Sequence, residues 1–171
     1  VNIETAFYTI FAKQVYSGQR EAKVIDWMID RITDGLGGKY PRELINFCNI
    51  SKRNQLNNYN ITNNDDFLIS GSAIWNAYFE VSKIKCESYL SEFPDLSKHF
   101  ERFAGCNQSS FTRQELIKLM KGLTPRGEEM VKALYEVGVL YPYKKKRANA
   151  DKFDIPKLYR SGLGLIIRGR I

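Results

Sequence analysis

Phe111-Thr112-Arg113-Gln114-Glu115-Leu116-Ile117-Lys118-Leu119-Met120-Lys121-Gly122-Leu123-Thr124-Pro125 carries two helix starts with a helix stop between them. Thr112 and Glu115 have the T-x-x-E spacing of a capping box, in which each side chain satisfies a free N–H of the first turn. The box predicts a helix bearing Leu116, Ile117, Leu119 and Met120, ended by Gly122. Thr124 predicts a second cap, with Pro125 at the first helical position, where its missing N–H costs nothing. Met130, Ala133, Leu134 and Val137 then recur at helical spacing up to Gly138. Val139–Tyr143 and Lys152–Ile155 are strands by residue type, separated by a polar, basic loop.

Helix, tight turn, helix and a hairpin with a basic tip form the order of a winged helix. A short helix from Asp95, carrying Leu96, Phe100 and Phe103, supplies its first helix, and Phe111 falls where that fold often has a short strand. Upstream, Ile74, Ala77, Tyr78, Val81 and Ile84 predict the inner face of a long helix over Ser72–Glu92, broken by Phe93-Pro94. Further back, six asparagines crowd residues 51–66, which predicts a loop and the boundary between two modules. Three more helices precede it: one from Ile3 through Val15 and ending near Gly18, one from Ile25 to Leu36, and one opened by Pro41 with Leu44, Ile45 and Cys48 on one face. The expected fold is mainly α: a helical bundle over residues 1–66, then an extended winged-helix domain over 67–171 with a small β-hairpin wing.

The 171 residues are 43% hydrophobic and 26% charged, an ordinary composition for a globular chain. No apolar run approaches the roughly 18 residues of a membrane span, so no membrane partner and a cytoplasmic location are expected. Cys48, Cys86 and Cys106 are odd in number and widely spaced, which argues against a disulfide framework or a zinc site. The net charge of +7 is unevenly spread. Residues 1–70 and 71–138 are each neutral, and the last 33 residues hold nine basic and two acidic side chains. Such asymmetry points to nucleic acid or another anionic surface, against the plainer reading of a solvated hairpin.

Catalytic constellations are absent. His99 is the one histidine, expected at the surface or half-buried, and no ligand spacing surrounds it. Gly35-Leu36-Gly37-Gly38-Lys39 lacks the G-x-x-x-x-G-K-S/T spacing of a phosphate loop and follows a helix, so it is read as a helix end. Arg42 sits in the first turn after that break. A helix N-terminus favours anions, and an arginine there can hold a phosphate oxygen; local pairing with Asp34 or Glu43 is the plainer alternative.

Ile29-Asp30-Arg31-Ile32-Thr33-Asp34-Gly35 through Pro41-Arg42-Glu43-Leu44-Ile45 resembles the helical lid of bacterial P-loop ATPases of the AAA+/STAND kind, which carry a glycine and then P-R-x-L-I. Residues 77–82 fit the same family. Phe153-Asp154-Ile155-Pro156-Lys157-Leu158-Tyr159-Arg160-Ser161-Gly162-Leu163-Gly164 is similar to its closing motif, after the winged helix. The resemblance implies a lid-like first region in which Arg42 senses nucleotide. The P-loop core itself is missing and the chain opens on Val1, which implies a C-terminal fragment. The fragment is expected to hydrolyse nothing and to hold no cofactor, whereas ATP and magnesium belong to the parent ATPase. Its expected partners are its own ATPase core or neighbouring protomers.

A DNA contact is the alternative. The second helix of the pair would present Arg126, Glu128, Glu129, Lys132 and Glu136, an acidic surface that phosphates repel. The wing is the opposite. Lys144, Lys145, Lys146 and Arg147, with Lys152 behind them and Tyr141 and Tyr143 beside them, could neutralise phosphates without reading sequence.

Overall fold

Asn2 caps the first helix, α1 (Ile3–Ile10), by accepting the Glu4 N–H at 3.0 Å. The helix ends at Ile10, well before the expected end near Gly18, because the chain finds a better partner. The Ile10 carbonyl accepts from Leu68 and Ile69 N–H at 3.0 and 2.7 Å, and Ala12 N–H donates to the Ile69 carbonyl at 2.9 Å. Phe11 is extended and forms a parallel bridge with Ile69, and Phe11, Ala12 and Val15 are buried. The computed structural model describes residues 2–16, 22–58, 67–143 and 150–165.

The described residues are mainly helical, with one small antiparallel sheet. They group into two compact units, Val1–Ile32 with Tyr40–Val81, and Thr33–Lys39 with Ser82–Ile171. In the first unit, α2 (Val24–Ile32) buries Val24, Trp27, Met28 and Ile32. The Arg31 guanidinium lies 3.5 Å from the centre of the Trp27 ring. Helix α3 (Pro41–Asn57) starts at the expected proline but buries Phe47, Ile50 and Ser51, and leaves Ile45 60% exposed. It also runs through residues 51–57, where asparagine content predicts a loop. Tertiary bonds override that propensity: the Gln55 side-chain oxygen accepts both the backbone N–H and the hydroxyl of Ser70, at 3.0 and 2.7 Å. The rest of the asparagine-rich stretch, 59–66, lies outside the described residues.

Helix α4 (Gly71–Glu92) belongs to both units. Ile74, Ala77, Tyr78 and Val81 are buried as expected, whereas Ile84 is 44% exposed. Its second half buries Ser82, Cys86 and Tyr89. A 3-10 turn (Pro94–Leu96) and α5 (Ser97–Glu101) follow, then β1 (Ser110–Thr112), α6 (Arg113–Leu119), α7 (Gly127–Glu136), β2 (Tyr141–Pro142), β3 (Lys152–Asp154) and α8 (Lys157–Arg160). The sheet order is β1-β3-β2, all antiparallel. Phe111 pairs with Phe153 across it, and both are buried against Phe103, Leu116 and Leu134.

The capping box is present in full. Glu115 N–H donates to Thr112 Oγ1 at 3.2 Å, and Thr112 N–H donates to Glu115 Oε2 at 2.6 Å. Those bonds from the Thr112 backbone and hydroxyl hold the Glu115 carboxyl below its ordinary value. A depressed carboxyl stabilises the fold above the ordinary glutamate range, and that contribution is lost as pH falls through the depressed value. Thr112→Ala should cost about 1 kcal/mol at neutral pH. Urea unfolding of both proteins should show the gap narrow in acid, as the bond from the Thr112 hydroxyl to the Glu115 carboxylate is lost, but not close, because Thr112 Oγ1 still accepts the Glu115 N–H; a gap that does not change with pH contradicts the carboxylate's part in the box.

Three local expectations change. Helix α7 begins at Gly127, with Arg126 at its cap, and not at Thr124-Pro125. The Thr124–Pro125 bond is cis, and the Pro125 carbonyl is held by His99 Nε2–H at 2.8 Å. His99 is buried, not a surface group, and its role is to fix this turn. The strands are shorter than residue type predicts, since Val139 and Leu140 N–H both donate to the Leu134 carbonyl and so wrap the end of α7. No helix among the described residues is long and apolar enough to cross a membrane.

Candidate functional site

Strands β2 and β3 form the root of the basic hairpin. The Tyr143 N–H donates to the Lys152 carbonyl at 2.9 Å, and Lys152 Nζ lies 4.8 Å from the Tyr143 ring centre. Tyr143 is 43% exposed, so this cation–aromatic pair faces solvent. Tyr141 lies on the same face of the sheet but has another task. It pairs in register with Asp154, and burial raises its phenol above the ordinary value, followed by the Asp154 charge. Asp154 is itself buried and accepts the Ser110 hydroxyl, while Arg160 Nε–H ties to the Ile155 carbonyl at 2.7 Å. Tyr141 therefore anchors the sheet, and of the expected aromatic pair only Tyr143 offers a ring outward. Lys144, Lys145, Lys146 and Arg147 lie outside the described residues.

Arg113 was not singled out by sequence, yet it organises this end of the unit. Its guanidinium donates to the Ala150 carbonyl through Nε and Nη2 at 3.3 and 2.9 Å, and pairs with Glu128 through Nη1. Its backbone N–H donates to the Asp151 carbonyl at 2.8 Å. One side chain thus joins α6, the foot of the hairpin and the first turn of α7. Its only sequence signal is its place directly after the capping threonine.

On α7, Arg126, Glu128, Glu129, Lys132 and Glu136 are all exposed, as expected. Lys132 and Glu136 approach to 3.8 Å along the helix and Glu128 is taken by Arg113, so Arg126 and Glu129 are the exposed charges of this face outside those pairs. The face does not collect cations for a phosphate backbone.

Arg42 is exposed at the second position of α3, and no ion pair to it is found among the described residues. The glycine-rich loop before it is closed to anions by its own aspartate. Asp34 Oδ1 accepts Leu36 and Gly38 N–H at 2.9 and 2.7 Å, and Gly35 N–H is spent on the Gly138 carbonyl at 2.8 Å. The N–H groups a phosphate would need there are occupied.

The cysteines are free thiols. Burial pushes the Cys86 thiol up to about 12, and raises Cys48 and Cys106 as well, so none is prepared as a nucleophile. No group of three or more His, Cys, Asp or Glu that could hold a metal occurs among the described residues. In comparisons with known proteins, no protein family, no curated protein and no solved structure matches the chain.

Proposed function

We propose that this chain is a non-catalytic regulatory and interaction region of winged-helix type, carried by a P-loop ATPase of the AAA+/STAND kind. The order α5-β1-α6-α7-β2-β3, with strand order β1-β3-β2, supports the winged-helix reading, β2 and β3 being the wing. The observation that carries the functional choice is the exposed face of α7, whose three carboxylates outnumber its two cations. With Glu128 held by Arg113 and Lys132 paired with Glu136, this face offers no excess of cations to a groove lined with phosphates, and suits a protein surface. On this reading ATP and magnesium are bound by the parent's core, and Arg42, exposed at the head of α3, reaches the nucleotide. The resemblance of residues 29–45 and 153–164 to that family is what supports the parent's identity. Coding sequence ahead of Val1 should contain a G-x-x-x-x-G-K-S/T segment; its absence there would remove the ATPase reading.

The Lys152–Tyr143 pair favours a second reading, a sequence-indifferent DNA contact by the wing. Anisotropy titration of a short labelled duplex at two salt concentrations separates the two. The interaction reading expects no binding at low salt. Binding that weakens steeply with salt, and disappears when Lys144–Arg147 are replaced by alanine, establishes the wing contact instead.

A further inference from the structure

Helix α3 presents a second surface, separate from α7 and the wing. Its exposed residues are Pro41, Arg42, Ile45, Asn46, Asn49, Lys52, Arg53, Leu56 and Asn57, without a single carboxylate. Arg42, Ile45, Asn49, Lys52 and Leu56 follow one another at three- and four-residue steps, so they share one face of the helix. Ile45 and Leu56 are 60% and 59% exposed, while Phe47 and Ile50 serve the core from the other side. The two aliphatic side chains stand about 16 Å apart along the axis, about three turns. Arg53 is engaged by Glu80, whereas no ion pair to Arg42 or Lys52 is found among the described residues. Counting charge by segment hides this face, because residues 1–70 are neutral as a whole.

We infer that this face of α3 docks an acidic amphipathic helix of a partner protein. The partner's aliphatic residues would pack on Ile45 and Leu56, and its carboxylates would pair with Lys52, and with Arg42 wherever no nucleotide claims it. Interfaces combine apolar anchors with complementary charges that select the partner. Two other occupants fit less well. A polyanion needs a basic field, and the segments that form this unit are not basic, residues 1–70 being neutral. A second copy would have to offer its own acidic helix, α7, but the large aliphatics Met130, Val131 and Leu134 of α7 are buried. The proposal stands whether or not the parent is an ATPase.

The test uses the whole chain and a labelled synthetic helix of leucine, alanine and glutamate, beside a twin with lysine in place of glutamate. The glutamate peptide should bind and its lysine twin should not. Ile45→Glu, Leu56→Glu and Lys52→Glu should each weaken binding on the order of tenfold. All three positions are exposed, and circular dichroism of each variant should match the parent. Ile3→Glu, at an 87% exposed position on α1, should leave binding unchanged. Equal binding of both peptides, no binding of either, or an equal loss with Ile3→Glu overturns the proposal. So does tighter binding of duplex DNA or of phosphatidylserine vesicles at the same residues, or self-association of the chain through them.

Discussion

Gly162→Ala is expected to destabilise the C-terminal unit by about 3 kcal/mol or more, the upper range for overpacking a tight site. Gly162 follows α8 and lies against the second half of α4. A methyl group there would fall 2.6 Å from Cys86 Sγ and 2.6 Å from the Ser82 carbonyl oxygen. The Gly162 N–H also donates to the Ser82 hydroxyl at 2.8 Å, so any retreat from the clash breaks that bond. Ser82 is fully buried, and its hydroxyl would lose its partner where water cannot replace it. A thermal scan should show a fall on the order of 10 °C. The double variant with Cys86→Ala separates the two clashes. Removing sulfur should restore only part of the loss, since the Ser82 carbonyl remains in place. A midpoint unchanged by Gly162→Ala would contradict this packing.

Gly35→Ala has a different geometry and an equally large expected effect on its own loop. The added methyl would stand 2.5 Å from the Leu140 carbonyl oxygen and 2.7 Å from that of Gly138. Both obstacles are backbone, so no side chain can rotate away. Residues 33–39 must leave the turn after α7, and the bond from Gly35 N–H to the Gly138 carbonyl goes with them. Gly138 has φ of 75°, a left-handed conformation glycine adopts without strain, so the turn cannot readily be rebuilt around a larger residue. Trypsin offers a direct readout, because Lys39 is exposed at the end of the loop. Cleavage after Lys39 should be many times faster in Gly35→Ala than in the unchanged chain. Asp34→Ala, which removes the internal cap but leaves the docking bond, should give a smaller increase. Equal rates in all three proteins would show that the loop is not held here.

Much of what depends on local chemistry is readable from residues, although Thr124-Pro125 does not open α7. Thr112 and Glu115 announce the start of α6, Pro41 the start of α3, and Phe93-Pro94 the end of α4, since each acts within a turn of itself. The parts that depend on distant pairing are not. Ile10 ends its helix because Leu68 and Ile69 compete for its carbonyl. Asn54 and Asn57 stay helical because Gln55, on the same turn, is held by Ser70. His99 is buried because Pro125 offers it a carbonyl. The candidate sites divide in the same way. Tyr143 and Lys152 meet, as alternation along two strands predicts, whereas Tyr141 is drawn to Asp154 and Arg160. Arg113 carried no motif of its own. The free face of α3 was hidden because the spacing of Leu44, Ile45 and Cys48 suggests an inner face that Phe47 and Ile50 occupy instead.

The neck of the hairpin has a practical consequence. Tyr143 is bonded to Lys152 on one side, and Arg113 grips Ala150 on the other, so the two ends of residues 144–149 are held together by residues outside that segment. Closing a longer loop across fixed ends costs little, about 0.6 kcal/mol for each doubling of its length. Evolution or an engineer can therefore rewrite or lengthen residues 144–149 as a cassette while the scaffold that holds their two ends stays as it is.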